Sequence, residues 1–411
     1  MGVATAPSAP ASPHHRTAPG RAHWLRVARE TADDLATDAV TREQAGKVPF
    51  DEVSRLREAG LLTLLVPAGQ GGGGADWSTA YAVVREIAAA DGAIAQLLGC
   101  HYFLGWSTRS LTEPGRAAQV ERQSVAEGWC WGGGLARREP PLTLTGSAQG
   151  YVLDGCQSYA SGILVADRIA VRAVRSDTGE PLAVVVDPAD HRVRTDGDGD
   201  AGAFGQRLAA GGAVAFDAVP VDAQDVLGSL SADEDVLSPA LALASPVGRL
   251  LSVQLLLGLT EGVLAEAREY RRAGQAPWHP AWPAGASQDP HVLSAYGELT
   301  VLARSASALA GQALTAVEGA LASGANLSYD ECAEASVLVA VAEAAAARAA
   351  QECTTRALDI IGARSASSRL GFDRFWRNAR AHTLHEPVSH RLRDVGDYFL
   401  NGTHPPFVLP A

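Results

Sequence analysis

Apolar residues along the chain follow one spacing, switch to another, and switch back. From residue 24 to about 128 they recur at helical intervals. Leu25, Val27 and Leu35 open a first helix, and Phe50 to Ala59 form a second that Gly60 stops. Thr79 to Ala90 and Ile94 to Leu111 predict a third and a fourth. From Trp129 to Leu230 the pattern shortens to β-rich runs at Leu142–Gly146, Gly150–Gly155, Arg168–Val174, Leu182–Asp187 and Gly212–Val221. Gly, Asp and Pro punctuate these runs at the spacing of a small antiparallel barrel or sandwich. From Leu237 the helical period returns in Leu250–Arg272, His291–Ser323 and Tyr329–Ile361, which are long, rich in Ala and Leu, and poor in breakers. With the last helical stretch they predict a four-helix bundle. The fold class is α+β, mostly α. Its expected divisions are an extension at 1–23, an N-terminal helical domain at 24–128, a β-domain at 129–232 and a C-terminal bundle at 233–411.

Composition narrows the partners. The chain has 411 residues, 47% hydrophobic and 19% charged, which suits a globular protein with a large core. A net charge of -12 argues against nucleic acid or an anionic membrane as the main partner. The five cysteines (Cys100, Cys130, Cys156, Cys332 and Cys353) are odd in number and widely spaced, as reduced thiols of a cytoplasmic protein would be. No apolar run suggests a membrane span. The first 23 residues, rich in Ala, Pro, Ser and Gly, lack a secretory core and are expected to be disordered.

Gly69-Gln-Gly-Gly-Gly-Gly74 is formally a G-x-G-x-x-G motif after an apolar run, with Asp91 downstream where a ribose-binding acid would stand. Pro67 interrupts the strand-to-turn geometry and no βαβ alternation follows, so a glycine turn before a helix is the expected structure. No G-x-S-x-G elbow is present, which sets aside a serine hydrolase of that type.

The densest chemistry lies in Arg374 to Asn401. His382, His385 and Glu386 fall at i, i+3 and i+4, on one helical face. Pro387 biases Glu386 away from helical angles, so His385 and Glu386 should sit at a helix-to-helix joint, which can project polar groups into a pocket. A second helix should follow, with Val388, Leu392, Val395 and Phe399 as its apolar stripe. The cluster is not H-E-x-x-H and has no evident remote third ligand, so no metal is expected.

This run resembles the C-terminal signature of the flavin-dependent monooxygenases built on the acyl-CoA dehydrogenase fold, of the dibenzothiophene monooxygenase and sulfur-acquisition type. Trp376-Arg-Asn-Ala-Arg-Ala-His-Thr-Leu-His385, the following Glu-Pro-Val and the closing Tyr398-Phe-Leu-Asn-Gly402 carry the likeness, which extends over nearly all the chain after residue 24. The resemblance implies a helical domain, a β-domain and a helical bundle. It implies reduced FMN supplied by a separate flavin reductase, O2 as co-substrate, oxygen carried as a flavin C4a-hydroperoxide, a small aromatic sulfur- or nitrogen-containing substrate, and a homotetramer.

It also implies site residues. His101, Ser161 and His385 match catalytic positions, with His385 as base or proton donor. Trp131, Gly133, Ser161, Arg272 and Arg369 match or neighbour the flavin, and Tyr102, Trp106, Trp129 and Glu386 would wall the substrate pocket. Gly133 replaces an asparagine of that group, and Ala276 an arginine that binds the flavin phosphate, a role open to Arg271, Arg272 or Arg369. Two other readings stand beside this one. An FAD-dependent acyl-CoA dehydrogenase would use Glu386 as base, although Gly132 to Pro140 and Asp359 to Ser365 depart from the dehydrogenase motifs. A non-catalytic flavin- or ligand-binding relative would keep only the fold.

Overall fold

The structure, a computed structural model, describes residues 19–196, 202–231, 237–273, 288–385 and 387–409. Five helices come first: α1 (Arg21–Ala45), α2 (Phe50–Glu58), α3 (Trp77–Ala90), α4 (Gly92–Leu111) and α5 (Pro114–Glu127). The fifth was not among the helices singled out from the sequence. It is delimited by local chemistry, with Pro114 in its first turn and Gly128 in the left-handed conformation at its end. Arg21–His23 are already helical, so α1 begins inside the stretch assigned to the extension; residues 1–18 lie outside the described residues.

Eight strands follow: β1 (Trp131–Gly134), β2 (Leu142–Ser147), β3 (Gly150–Ala160), β4 (Arg168–Arg175), β5 (Pro181–Val186), β6 (Val193–Thr195), β7 (Gly212–Asp222) and β8 (Val226–Ser229). They form one sheet in the order β6-β7-β3-β2-β4-β5-β8, with β1 on β4. The five expected strands are present; the short β1, β6 and β8 are additional. The expectation of purely antiparallel pairing is corrected, because β1 and β2 both run parallel to β4. Together they share one edge of β4, β1 beside residues 168–171 and β2 beside 173–175. Two strands of four and six residues are too short for a period-2 pattern to reveal direction. The chain between them, 135–141, has to leave the sheet and return.

The last helices are α6 (Pro239–Arg272), α7 (Pro290–Ser323), α8 (Tyr329–Ile361), α9 (Asp373–His385) and α10 (Val388–Asn401). α8 packs against α6 and α7, and α9 and α10 complete the bundle on α8. α6 starts eleven residues before the expected Leu250. Ser238 caps it by accepting from the Leu241 N–H, and Pro246 is carried inside the helix. Among the described residues α6 alone is long and apolar enough to cross a membrane, but 83% of its most apolar window is buried inside the protein. It is the central core helix.

α10 differs from its sequence reading. Its supposed apolar stripe is split: Leu392 is 40% and Phe399 86% exposed, Val388 and Val395 are half-buried with Val388 packed on the main core, and Arg391 and Asp394 face inward. The break before it is where Pro387 predicted: α9 ends at His385 and Pro387 is the N-cap of α10.

The glycine run is a turn, not a nucleotide fingerprint. Leu61–Thr63 and Ala68–Gln70 are single 3-10 turns, and the backbone folds back so that Gly73 N–H donates to Thr63 O at 2.8 Å. A side chain at Gly73 would meet Leu64 O at 2.8 Å, so glycine is required by close approach. Asp91 is committed elsewhere: it caps α4 through the Ala93 and Ile94 N–H groups and pairs with buried Arg42 at 2.8 Å.

Candidate functional site

The loop that leaves the sheet after β1 comes to rest against α4 and α6, and a cleft lies between them. Its walls are Gly99, Cys100 and Phe103 of α4, Gly133 and Gly134 of β1, Arg138 of the following loop, Ser161 after β3, and Gly248, Leu251 and Ser252 of α6. Ser161 and Gly133 are fixed to each other, since Gly133 N–H donates to Ser161 O at 2.8 Å. Gly133 takes a φ of 118°, and a Cβ there would collide with the Ala170 carbonyl oxygen. Only glycine permits this close parallel pairing of β1 with β4.

Ser252 also borders a second cavity, lined by His382, Thr383 and His385 of α9, Arg249 of α6, Glu343 of α8, and Val388 and Arg391 of α10. Ser161 and His385 thus face adjoining cavities that meet at Ser252. The His385 end is charged. Arg249 lies 3.7 Å from Glu343, and Arg391 is paired with buried Asp394 at 3.1 Å. Glu386 and Ala276 lie outside the described residues. Among the described residues no group of three His, Cys, Asp or Glu side chains is placed to hold a metal ion.

The expectation of one pocket containing His101, Ser161 and His385 behind four aromatic walls is corrected. His101 is next to Cys100 on α4, so a rotation of about 100° aims it at a different side of the helix. There it is 3% exposed and shares a separate cavity with Tyr102, Trp106 and Trp131. Its Nε2 lies 2.7 Å from Leu62 O and its Nδ1 accepts from Trp131 N–H at 3.0 Å. Both nitrogens are used when the ring is neutral with the proton on Nε2. Burial pushes its pKa down to about 4. In this structure His101 ties α4 to β1 and to the turn at Leu62.

Trp131 directs its indole N–H towards Ser124 Oγ at 3.3 Å, away from the Ser161 cleft. Trp129 donates to Glu127 and is covered by the Arg168 guanidinium at 4.1 Å. Arg272 is exposed and lies 3.8 Å from Glu269, Arg369 is exposed, and neither lines the cleft. Gly133 and Ser161 are brought together, and His385 lies one cavity away.

Cys100, Phe103, Arg138 and Ser252 are among the cleft residues that went unnoticed in the sequence. The first two had a usable signal, because Gln96, Gly99, Cys100 and Phe103 share the α4 face that excludes His101. Arg138 and Ser252 had none, being an irregular loop residue and one serine in a buried helix. Burial drives the Cys100 thiol up to about 12, so it is a neutral wall group rather than a nucleophile.

The cleft can be tested for a flavin. It is lined by Gly133 and Gly134, by Phe103, Leu251 and Leu255, and by Ser161 and Ser252. Arg138 contributes a buried Nε with no hydrogen-bond partner among the described residues. A largely apolar lining with two serines and a cation suits an aromatic ring that carries an anionic tail.

Family models agree with this architecture. Residues 22–123 match the acyl-CoA dehydrogenase N-terminal domain, and residues 250–390 match the acyl-CoA dehydrogenase C-terminal domain. The chain is 34% identical over 392 residues to a dibenzothiophene monooxygenase of Rhodococcus erythropolis, covering 93% of this chain and 94% of that one. It is 32% identical over 384 residues to a probable FMNH2-dependent monooxygenase, SfnC, of Pseudomonas putida, covering 93% and 95%. FMN-bound TdsC from Paenibacillus sp. A11-2 superposes with a TM-score of 0.88 at 33% identity, covering 94% of this chain and 99% of that one. The chain therefore belongs to the acyl-CoA dehydrogenase family, among relatives that are flavin-dependent monooxygenases.

Proposed function

We propose that the protein is a reduced-flavin-dependent monooxygenase, which takes FMNH2 from a separate reductase and oxygenates a small aromatic molecule containing sulfur or nitrogen. The observation that carries this reading is the pair of adjoining cavities that meet at Ser252, one bearing Ser161 and Gly133 and the other His385. The names of its relatives support both the reaction and the cofactor.

The cleft residues would hold FMNH2, which when bound would supply the electrons for O2 activation. Gly133, Gly134 and the α6 leucines would hold its ring, and Ser161 would hydrogen-bond the ring edge. Phe103, Leu104 and Leu255 keep that end of the cleft apolar and hinder water. The imidazole of His385 would give or take the one proton the reaction requires.

Two further features belong to the proposal. The outward apolar residues of α10 (Leu392, Phe399 and Leu400) and of α7 (Leu293 and Val301) give it surfaces for assembly as a homotetramer. Its five cysteines are unpaired in a fold that buries three of them, as suits a cytoplasmic, reducing compartment.

The test is to load the protein anaerobically with reduced FMN, mix it with O2 in a stopped-flow instrument and follow the flavin absorbance. A species that is neither reduced nor oxidised flavin should persist before oxidised FMN returns. The His385→Ala variant should lower oxygenation by about a hundredfold or more. Immediate return of oxidised flavin, with tight retention of FAD instead, would replace this reading with the dehydrogenase.

A further inference from the structure

Arg138 borders two hollows. One is the Ser161 cleft, about 60 Å³. The other is wider, about 310 Å³, and lies over the β-sheet between Gln157, Arg172, Leu142 and Pro181. The guanidinium of Arg138 is the side chain common to both. It stands there because β1 and β2 use successive parts of one edge of β4, which pushes the 135–141 loop out over the sheet.

The wider hollow has more cationic charge than its neighbours neutralise. Arg138 keeps its Nε buried without a hydrogen-bond partner among the described residues. Arg172 projects from β4, half-buried, and makes no ion pair or hydrogen bond among the described residues. Burial first, and then the neighbouring Arg137, lower the Arg172 pKa. The one carboxylate residue that lines it, Glu139, is already held by Arg137 at 2.9 Å. Guanidinium groups stay charged in proteins, so two unpaired ones bordering a single hollow favour an anion with several acceptor oxygens.

We propose that Arg138 and Arg172 form an anion subsite at the sheet end of the cleft, and that it holds the phosphate monoester of FMN. The proposal rests on the flavin reading above. Arg138 selects the flavin as the source of the anion, since it borders both this hollow and the cleft assigned to the ring. A phosphate here would also give Gln157, through its amide, a further contact.

The experiment measures anaerobic binding of reduced FMN and of reduced riboflavin, which lacks the phosphate, to the wild type, Arg138→Gln and Arg172→Gln. The wild type should bind FMN at least tenfold more tightly than riboflavin. Each variant should lose about tenfold to a hundredfold in FMN affinity while riboflavin affinity changes less than threefold. Inorganic phosphate should compete with FMN in the wild type and compete more weakly in the variants. Parallel loss of both flavins would assign the arginines to folding and overturn the subsite, as would an unchanged preference for FMN in both variants. Equal wild-type affinity for the two flavins would overturn the subsite alone. Binding of neither flavin by the wild type would overturn the flavin reading, and the subsite with it.

Discussion

Replacing His101 with phenylalanine separates a structural histidine from a catalytic one. Phenylalanine keeps a planar ring in the cavity but removes both nitrogens, so Trp131 N–H and Leu62 C=O lose the partners they have at 3.0 and 2.7 Å. Each orphaned buried group costs about 1–3 kcal/mol, so His101→Phe should lose about 2–6 kcal/mol at neutral pH. Linkage adds a signature in pH. The native pKa, lowered to about 4, lies below the unfolded value of 6.5. In that window the unfolded chain binds the extra proton, so the contribution is complete above 6.5 and declines as pH falls towards 4. The decline totals about 3 kcal/mol over the window. Urea unfolding of wild type and variant, from pH 7.5 down to 4.5, isolates the histidine because all other titrations are common to both. Their stability difference should shrink as the pH falls. Wild-type stability in the variant, or a difference that does not change with pH, would refute the tether. Loss of oxygenation in a variant of wild-type stability would return His101 to the catalytic set.

Three other outcomes follow from the geometry. Gly133→Asn, which restores the asparagine expected from its relatives, should lower the melting temperature and reduce soluble yield instead of improving flavin binding. Its Cβ would collide with the Ala170 carbonyl oxygen at a φ of 118°, and a stable variant would contradict the strand pairing. Arg42→Met should destabilise the protein by about 3–5 kcal/mol, read by urea unfolding. It strips Asp91 and Glu52 of a buried guanidinium at 2.8 and 3.7 Å. A thiol reagent at pH 8 should titrate Cys156 rapidly in the native protein and all five cysteines after denaturation. Cys156 is exposed, whereas burial holds the Cys100 and Cys130 thiols up at about 12.

The helices were legible in the sequence because their apolar period is local. α2, α3, α4, α7 and α8 lie within two residues of the ends expected from spacing, caps and glycines. The break at Pro387 was legible for the same reason, since proline restricts its predecessor whatever surrounds it. Strand existence was legible too; strand direction was not. The parallel partnership of β1 and β2 with β4 depends on residues roughly thirty to forty positions apart meeting along one edge, and four to six residues carry no record of it.

The same division runs through the site. Ser161, Gly133 and His385 could be named from the chain's resemblance to a family, but their placement in adjoining cavities is set by α6, through Ser252. His101 sits one residue from Cys100, and the helix aims the two at different cavities. A sequence fixes which residues share a helical face; which face meets the cleft is decided by the packing of α4 between β1 and α6. α10 shows the limit from the other side. Its apolar positions are periodic, yet Leu392 and Phe399 lie exposed while Arg391 and Asp394 pair in the interior. Local chemistry determined the elements of this protein, and long-range contacts decided which of their faces became a site.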